Sequence, residues 1–476
     1  MSEPKKQYMV VITDGKERAT SCDDYTWNPV GEWTEAADWN PEPVWGGGLH
    51  GQHPEAGGYG YRPYGFTVPE LVEIDGPVVK IGDDKVKVRR AKRIAVGNLT
   101  VPEMPLQWDR LHMSGCTGQI VLPKGLTVRL LDLRDCTGLR ELPEGLTAGS
   151  LDLHGCSGLR ELPAGLSVGW FLDLSGCTGL RELPAGLISE LGADTLDLAG
   201  CTGLRKLPED IEVKILDLTG CTGLRNLPAG LKIVQRLDLS GCTGLRDLPE
   251  GLEVVEIDLP GCTGLRELPE GLVAENLNLR DCTGLRNLPE GLTVKWLDLT
   301  GCTSLRELPA GLKVKWLDMA GCTGLRELPA GMAAKNLDLQ GCTALRELPV
   351  GLTSELGADT LNLSGCIGLR KLPEDLDVKI LDLRNCTGLR ELPAGLEVGY
   401  LDLTGCTGLR ELPEGLKVDW LDLDGCTGLR ELPEGLTVNC RIKLYNCTGL
   451  SELPAGIPAE RVEDWDFERQ RAISEL

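Results

Sequence analysis

Residues 288–307 read LPEGLTVKWLDLTGCTSLRE, and this phrase returns with small edits from about residue 110 to the end of the chain. Marked by the cysteine of its GCTG turn, it occurs seventeen times, at Cys116, Cys136, Cys156, Cys177, Cys201, Cys221, Cys242, Cys262, Cys282, Cys302, Cys322, Cys342, Cys366, Cys386, Cys406, Cys426 and Cys447. Of the sixteen intervals, eleven are 20 residues, three are 21 and two are 24. A fixed period of this size means one supersecondary unit per copy, each too small to bury its own apolar face and stacked on its neighbours to do so. A solenoid is expected.

Within one copy the alternation of Leu297 and Leu299 has the period of a strand and puts Asp298 on the opposite face. Leu305, Leu308 and Leu312, spaced by three or four around Pro309, fit turns or 3₁₀ structure better than a second strand. Each coil therefore contributes one short strand, and stacking pairs the strands into a parallel sheet at about 4.8 Å per step.

The pattern from Val294 through Leu297, Leu299, Cys302 and Leu305 to Leu308-Pro309 resembles the leucine-rich repeat. The resemblance covers about three quarters of the chain and implies a curved array of about 17 coils, with the parallel sheet on its concave face and turns or 3₁₀ segments on its convex face. LPEGL resembles the short bacterial type of this repeat, and LDLSGCTGLRELP the cysteine-bearing repeats of plant immune receptors. In that family the marked position is usually an inward asparagine, for which cysteine, a small hydrophobe with a weak donor, substitutes. Fold does not fix function.

The seventeen cysteines are thus expected to form a ladder of buried free thiols. No apolar run long enough for a secretory segment opens the chain, and no Cys-x-x-Cys pairs suggest metal, so a reducing, cytoplasmic location is expected. Before the cysteine, thirteen copies have Gly and the others Asp135, Asp281, Asn385 or Asn446, the residues that best tolerate positive φ. A left-handed turn should close every strand.

A formal charge of -23 argues against nucleic-acid and anionic-membrane partners, which need excess Lys and Arg. Residues 1–104 hold ten of the twenty aromatics, among them Trp27, Trp33, Trp39, Trp45, Tyr59, Tyr61 and Tyr64, and read as a small β-rich domain covering the first coil. Pieces such as YTWNPVGEW and GGGLHG resemble short modules of unknown role in bacterial and phage proteins. The solenoid spans 105–456. In residues 457–476, Val462, Trp465, Ala472, Ile473 and Leu476 fall at helical intervals, which predicts a capping helix.

Four columns could carry function. At the strand centre thirteen carboxylates line up, including Asp298, Asp318, Asp338, Asp382, Asp402 and Asp422, an acidic face suited to a basic partner unless duplication merely copied a tolerated residue. The near-identical segments 189–218 and 354–383 show that a block has been duplicated. Two residues earlier stand Phe171, Trp296, Trp316, Tyr400 and Trp420, contact anchors on the same face. The arginines after the cysteine turn, such as Arg306, are followed by Glu and are expected to pair with it. A threonine file, as at Thr303, gives an ice-binding role only a remote footing.

Enzymatic function has little basis: His50 and His53 could hold zinc only if a third ligand, such as Cys22 or Asp23, folded near. Bacterial effectors with similar repeats often carry a ubiquitin-ligase domain behind the array, for which about twenty residues leave no room. The reading is a non-enzymatic scaffold without metal or cofactor, binding a protein or peptide of basic or mixed charge on its concave face. The alternative gives specific ligand or metal binding to the N-terminal domain and makes the array a rigid spacer. A secreted-effector role is a remote third.

Overall fold

The computed structural model describes the chain except residues 1–5, 15, 17–25, 44–47, 53–67, 82–84, 98, 101–103, 186, 188–194, 210, 353–358, 451–456 and 464–476. It divides into two compact units, Met1–Asp238 and Leu239–Leu476.

The first unit opens with five antiparallel strands, β1 (Gln7–Thr13), β2 (Trp33–Glu35), β3 (Leu49–Gly51), β4 (Val68–Ile81) and β5 (Lys85–Val96), in the order β1-β4-β5-β2 with β3 also on β5. The stretches ELVEI and PVVKI form a single strand: β4 runs through Gly76 at φ 103°, and its pairing with β5 shifts register between Asp75 and Val78. Met9, Val11, Trp27, Leu49, Val72, Val86 and Val88 form the core beneath. Glu70 and Arg93 are buried as a pair; Thr13 also donates to Glu70, and the guanidinium donates to the carbonyls of Lys16 (3.0 Å) and Asn28 (3.2 Å). A buried charge is tolerated only when matched this fully.

This sheet closes the end of the solenoid. Gln52 exchanges backbone hydrogen bonds with Val10 of β1 at 2.8 Å, while its side-chain amide donates to the carbonyl of His112 and accepts from the His112 N–H, both at 2.6 Å. His112 ends the first solenoid strand, Gln107–His112. The Gln52 amide stands where the peptide group of a preceding coil would be, so the edge strand's polar groups are not orphaned.

Seven solenoid strands follow in the first unit and ten more in the second, each ladder parallel and in register, as in Leu297↔Leu317 and Leu401↔Leu421. Leucines fill the interior. All thirteen column glycines have φ near 70°, and Asp135, Asp281, Asn385 and Asn446 lie at 56° to 58°, as the left-handed turn requires. The described ladder cysteines are buried free thiols. Most lend the Sγ–H to a carbonyl of the preceding coil, as Cys302 does to Leu279 at 3.2 Å and Cys136 to Met113 at 3.0 Å. Burial pushes the thiols of Cys282 and Cys406 up to about 12.

The three 21-residue coils absorb their extra residue in the strand. Ser167–Asp173, Lys232–Asp238 and Thr437–Lys443 each have seven residues and a register shift against the strand before: Gly149 faces both Gly169 and Trp170, Lys214 faces Val234 and Gln235, and Asp419 faces Asn439 and Cys440. These are β-bulges, which re-aim a side chain without disturbing the ladder beyond.

The capping helix is not what the described C-terminal residues form. Ala459–Arg461 is a 3₁₀ turn, and Val462–Glu463 is a strand that pairs with Ile442 and Lys443. An open sheet edge offers backbone partners that a helix at this position would leave unmet. Trp465, Ala472, Ile473 and Leu476 lie outside the described residues. So do Cys22, Asp23, Trp45, His53, Tyr59, Tyr61 and Tyr64.

Candidate functional site

On the outer face of the sheet, columns two residues apart run from coil to coil. Trp296 lies opposite Trp316, Ile380 opposite Tyr400, and Tyr400 opposite Trp420. The inward positions beside them are already leucine, so these rings are turned to solvent: Trp316 is 55% exposed, Trp420 43% and Phe171 41%, with Trp296 half-buried. Trp170, which the column pattern does not include, is the most open at 64%, with its ring over Gly149, where a Cβ would come within 2.8 Å of it. The 21-residue spacing from Cys156 to Cys177 was the available signal for it.

The carboxylate column is more sunken than its outward direction implies. Asp298, Asp402 and Asp422 are buried, and Asp318, Asp338 and Asp382 half-buried. Each accepts a hydrogen bond from the backbone N–H two residues on: Asp298 from Thr300 at 2.8 Å, Asp318 from Ala320 at 3.0 Å, Asp338 from Gln340 at 2.8 Å, Asp382 from Arg384, Asp402 from Thr404 and Asp422 from Asp424 at 3.0 Å. Asn278 and Asn362 make the same bond, to Arg280 at 3.2 Å and Ser364 at 3.0 Å. The side chain thus mimics a turn and ends the strand, a job that needs an acceptor oxygen but no charge.

Charge is matched unevenly along this column. Burial works against the ionised form of Asp132, but hydrogen bonds from His112 and Arg134 outweigh it and hold the carboxyl well below the usual range. Arg384 pairs with Asp382 at 2.6 Å and reaches Asp402 at 3.7 Å. Lys443 pairs with Asp422 at 3.0 Å. By contrast, burial first, then the charges of Asp173 and Asp217, push Asp197 up, and burial with Asp318 and Asp382 does the same to Asp338. In both, burial leads and like charges in the column add to it, for Asp197 those on the two adjoining strands.

The arginine file is exposed, but its expected pairing with the following glutamates is not found among the described residues. The ion pairs there are Lys206–Glu182 at 2.8 Å and Lys371–Glu347 at 3.9 Å, where a lysine takes a place in the acidic file. Both side chains stand in solvent on a segment outside any strand, where pairing gains little.

One constellation resembles hydrolase chemistry and lacks its order. His154 Nδ1 lies 2.7 Å from Ser175 Oγ, and Ser175 donates to Asp173. A nucleophile needs the imidazole between hydroxyl and carboxylate to take its proton; here the hydroxyl sits in the middle. His50 is buried on β3, and among the described residues no group of three or more His, Cys, Asp or Glu could hold a metal. No described helix is long and apolar enough to cross a membrane.

No family model and no curated protein matches the chain. Among solved structures, the functional domain of InlJ from Listeria monocytogenes, described as including a cysteine ladder, aligns at 16% identity over 65% of this chain and 69% of its own, with a TM-score of 0.23. YopM from Yersinia enterocolitica aligns at 18% identity over 77% and 88%, with a TM-score of 0.17. Superpositions that loose carry no weight, and the assignment rests on the repeat, its single parallel strand per coil, the left-handed turn and the thiol that bonds the coil before. The chain is a solenoid of single-strand coils with a ladder of buried thiols, the fold that its resemblance to the leucine-rich repeat implied.

Proposed function

We propose that this chain is a non-enzymatic, cytoplasmic scaffold whose sheet face holds a protein or peptide of basic or mixed charge. The observation that carries the reading is the in-register file of solvent-facing rings at Trp296–Trp316 and Tyr400–Trp420, beside an interior already filled by leucine. Rings of this kind are the usual anchors of interfaces, because they bury large area at low entropic cost. Carboxylates with no lysine or arginine paired to them among the described residues, such as Asp338, favour a cationic partner, and ladder thiols outside any disulfide suit a reducing compartment.

The test is affinity capture followed by mass spectrometry, comparing the intact chain with its Trp296→Ala, Trp316→Ala, Trp420→Ala triple variant and with Trp33→Ala. Trp33 lies under Arg90 and Lys92 in the N-terminal sheet and probes the rival location. A partner lost only with the triple variant supports the reading. A partner lost only with Trp33→Ala moves binding to the N-terminal sheet, and no partner retained at physiological salt refutes the scaffold.

A further inference from the structure

The last coil departs from the pattern in a way that shows what the outer columns accept. Its strand carries Arg441 where five other coils have a ring, among them Trp420 of the coil before, and Lys443 where thirteen have a carboxylate. The Arg441 guanidinium sits 5.3 Å from the centroid of Trp420 on one side and pairs with Glu463 at 2.7 Å on the other, and Lys443 Nζ lies 3.0 Å from Asp422. Two cations, two residues apart on an extended segment, are thus received by a ring and a carboxylate two residues apart. Extended segments share one spacing, about 7 Å between alternate residues, so the match is general and not particular to this strand. A guanidinium over a ring and an ammonium on a partly desolvated carboxylate are both attractive contacts.

The first unit has the same receiving groups with no such occupant. Phe171 and Asp173 stand two residues apart on one strand, with the exposed Trp170 beside them. Asp173, Asp197 and Asp217 follow in register on successive strands, and none pairs with a lysine or arginine among the described residues. Gly149 on the preceding strand and Gly169 on the same strand bring no lysine against a cationic guest, and Arg134 beyond them is taken up by Asp132 and Asp152. The unmatched charge is felt, since Asp197 is raised by burial and by its two neighbours.

We infer that Trp170, Phe171, Asp173 and Asp197 form a docking site for an extended segment of a partner protein carrying Arg and Lys two residues apart, the guanidinium against the rings and the ammonium on the carboxylates. This rests on the reading of the sheet face as an interaction surface and names one place and one chemistry on it.

The experiment is fluorescence anisotropy with the full chain and a labelled peptide Gly-Arg-Ile-Lys-Gly, against the same peptide with Gln for Arg and Lys, at low and high salt. The protein variants are Trp170→Ala with Phe171→Ala, Asp173→Asn with Asp197→Asn, and Trp316→Ala as a control, all checked to be folded by circular dichroism and a cooperative thermal melt. The aspartate changes keep the acceptor oxygen that ends the strand, so loss of binding there reports charge and not unfolding. Expected are selective binding of the cationic peptide, weakening of about tenfold or more in both first-unit variants, weakening with salt, and no change in Trp316→Ala. Equal binding of the two peptides, or wild-type binding by the first-unit variants, overturns the inference. Loss in Trp316→Ala alone overturns it too while leaving the interaction face standing elsewhere. Failure of the cationic peptide alongside a partner captured through Trp296, Trp316 and Trp420 separates the two readings in the same way.

Discussion

Replacing Asp197 by Asn and by Ala separates two roles that the carboxylate column combines. Its Oδ1 accepts from the Ala199 N–H at 2.9 Å, and its charge faces Asp173 and Asp217 on the adjoining strands. At the strand spacing of about 4.8 Å each like-charge contact costs about 0.9 kcal/mol in a water-like medium. The group is half-exposed and salt screens it, so relief of both contacts is discounted to about 0.5–1 kcal/mol in total. Asn keeps the acceptor and removes the charge, and is expected to stabilise by that amount at pH 7. Ala removes both, and the lost bond to a half-buried N–H costs about 1 kcal/mol, so Ala should fall below Asn by that margin at any pH. The sign with pH follows from a folded-state pKa raised above the unfolded one: the penalty on aspartate is absent when it is protonated and appears as pH rises through the folded value. The advantage of Asn should therefore vanish below about pH 4, near the unfolded aspartate value. Urea midpoints by circular dichroism at pH 7 and pH 3, with amide exchange at Ala199, measure both terms. Asn and Ala variants equally destabilised at pH 7 would show that the charge, and not the acceptor oxygen, holds the turn.

Gly155→Ala should cost more than Gly165→Ala: both sit at φ 71°, a conformation worth about 1–2 kcal/mol against a Cβ, but at Gly155 the new atom would also meet Asp135 Oδ1 at 2.4 Å, while at Gly165 it meets nothing within 4 Å. Thermal melts of the pair decide this, and equal shifts contradict the contact. Gln52→Ala removes two buried hydrogen bonds, from the N–H and to the C=O of His112, at about 1 kcal/mol each; hydrogen exchange should open the strand Gln107–His112 first, and unchanged protection there refutes the closure. Under native conditions an alkylating reagent should modify the exposed Cys440 and leave the buried Cys282 and Cys406 untouched. Mass spectrometry showing ladder thiols labelled as fast as Cys440 would mean that the array opens readily.

The fold was readable because each position is sampled seventeen times. Leucine, glycine and cysteine columns report interior, left-handed turn and thiol contact directly, and the four exceptions at Asp135, Asp281, Asn385 and Asn446 sharpened the turn assignment. The same uniformity hid the role of the aspartates. Only Asn278 and Asn362 signal it, since an amide shares the carboxylate's acceptor and not its charge. Trp170 escaped because column reading aligns Phe171 and treats the additional residue as slack. The Gln52 contact joins residues sixty apart in sequence through the docking of a non-repeating sheet, which no periodicity encodes. At the other end, helical spacing around Val462 was overridden by the open edge of the strand Thr437–Lys443.

The bulged strands give the array a route to novelty. An added residue at that point enters as Trp170, Val234 or Cys440 does, facing outward, while the buried aliphatic residues on either side of it and the register of the strand beyond keep their places. Single-residue insertion, ruinous in most sheets because it turns the buried side outward, here writes a new letter on the surface and leaves the rest of the text unshifted.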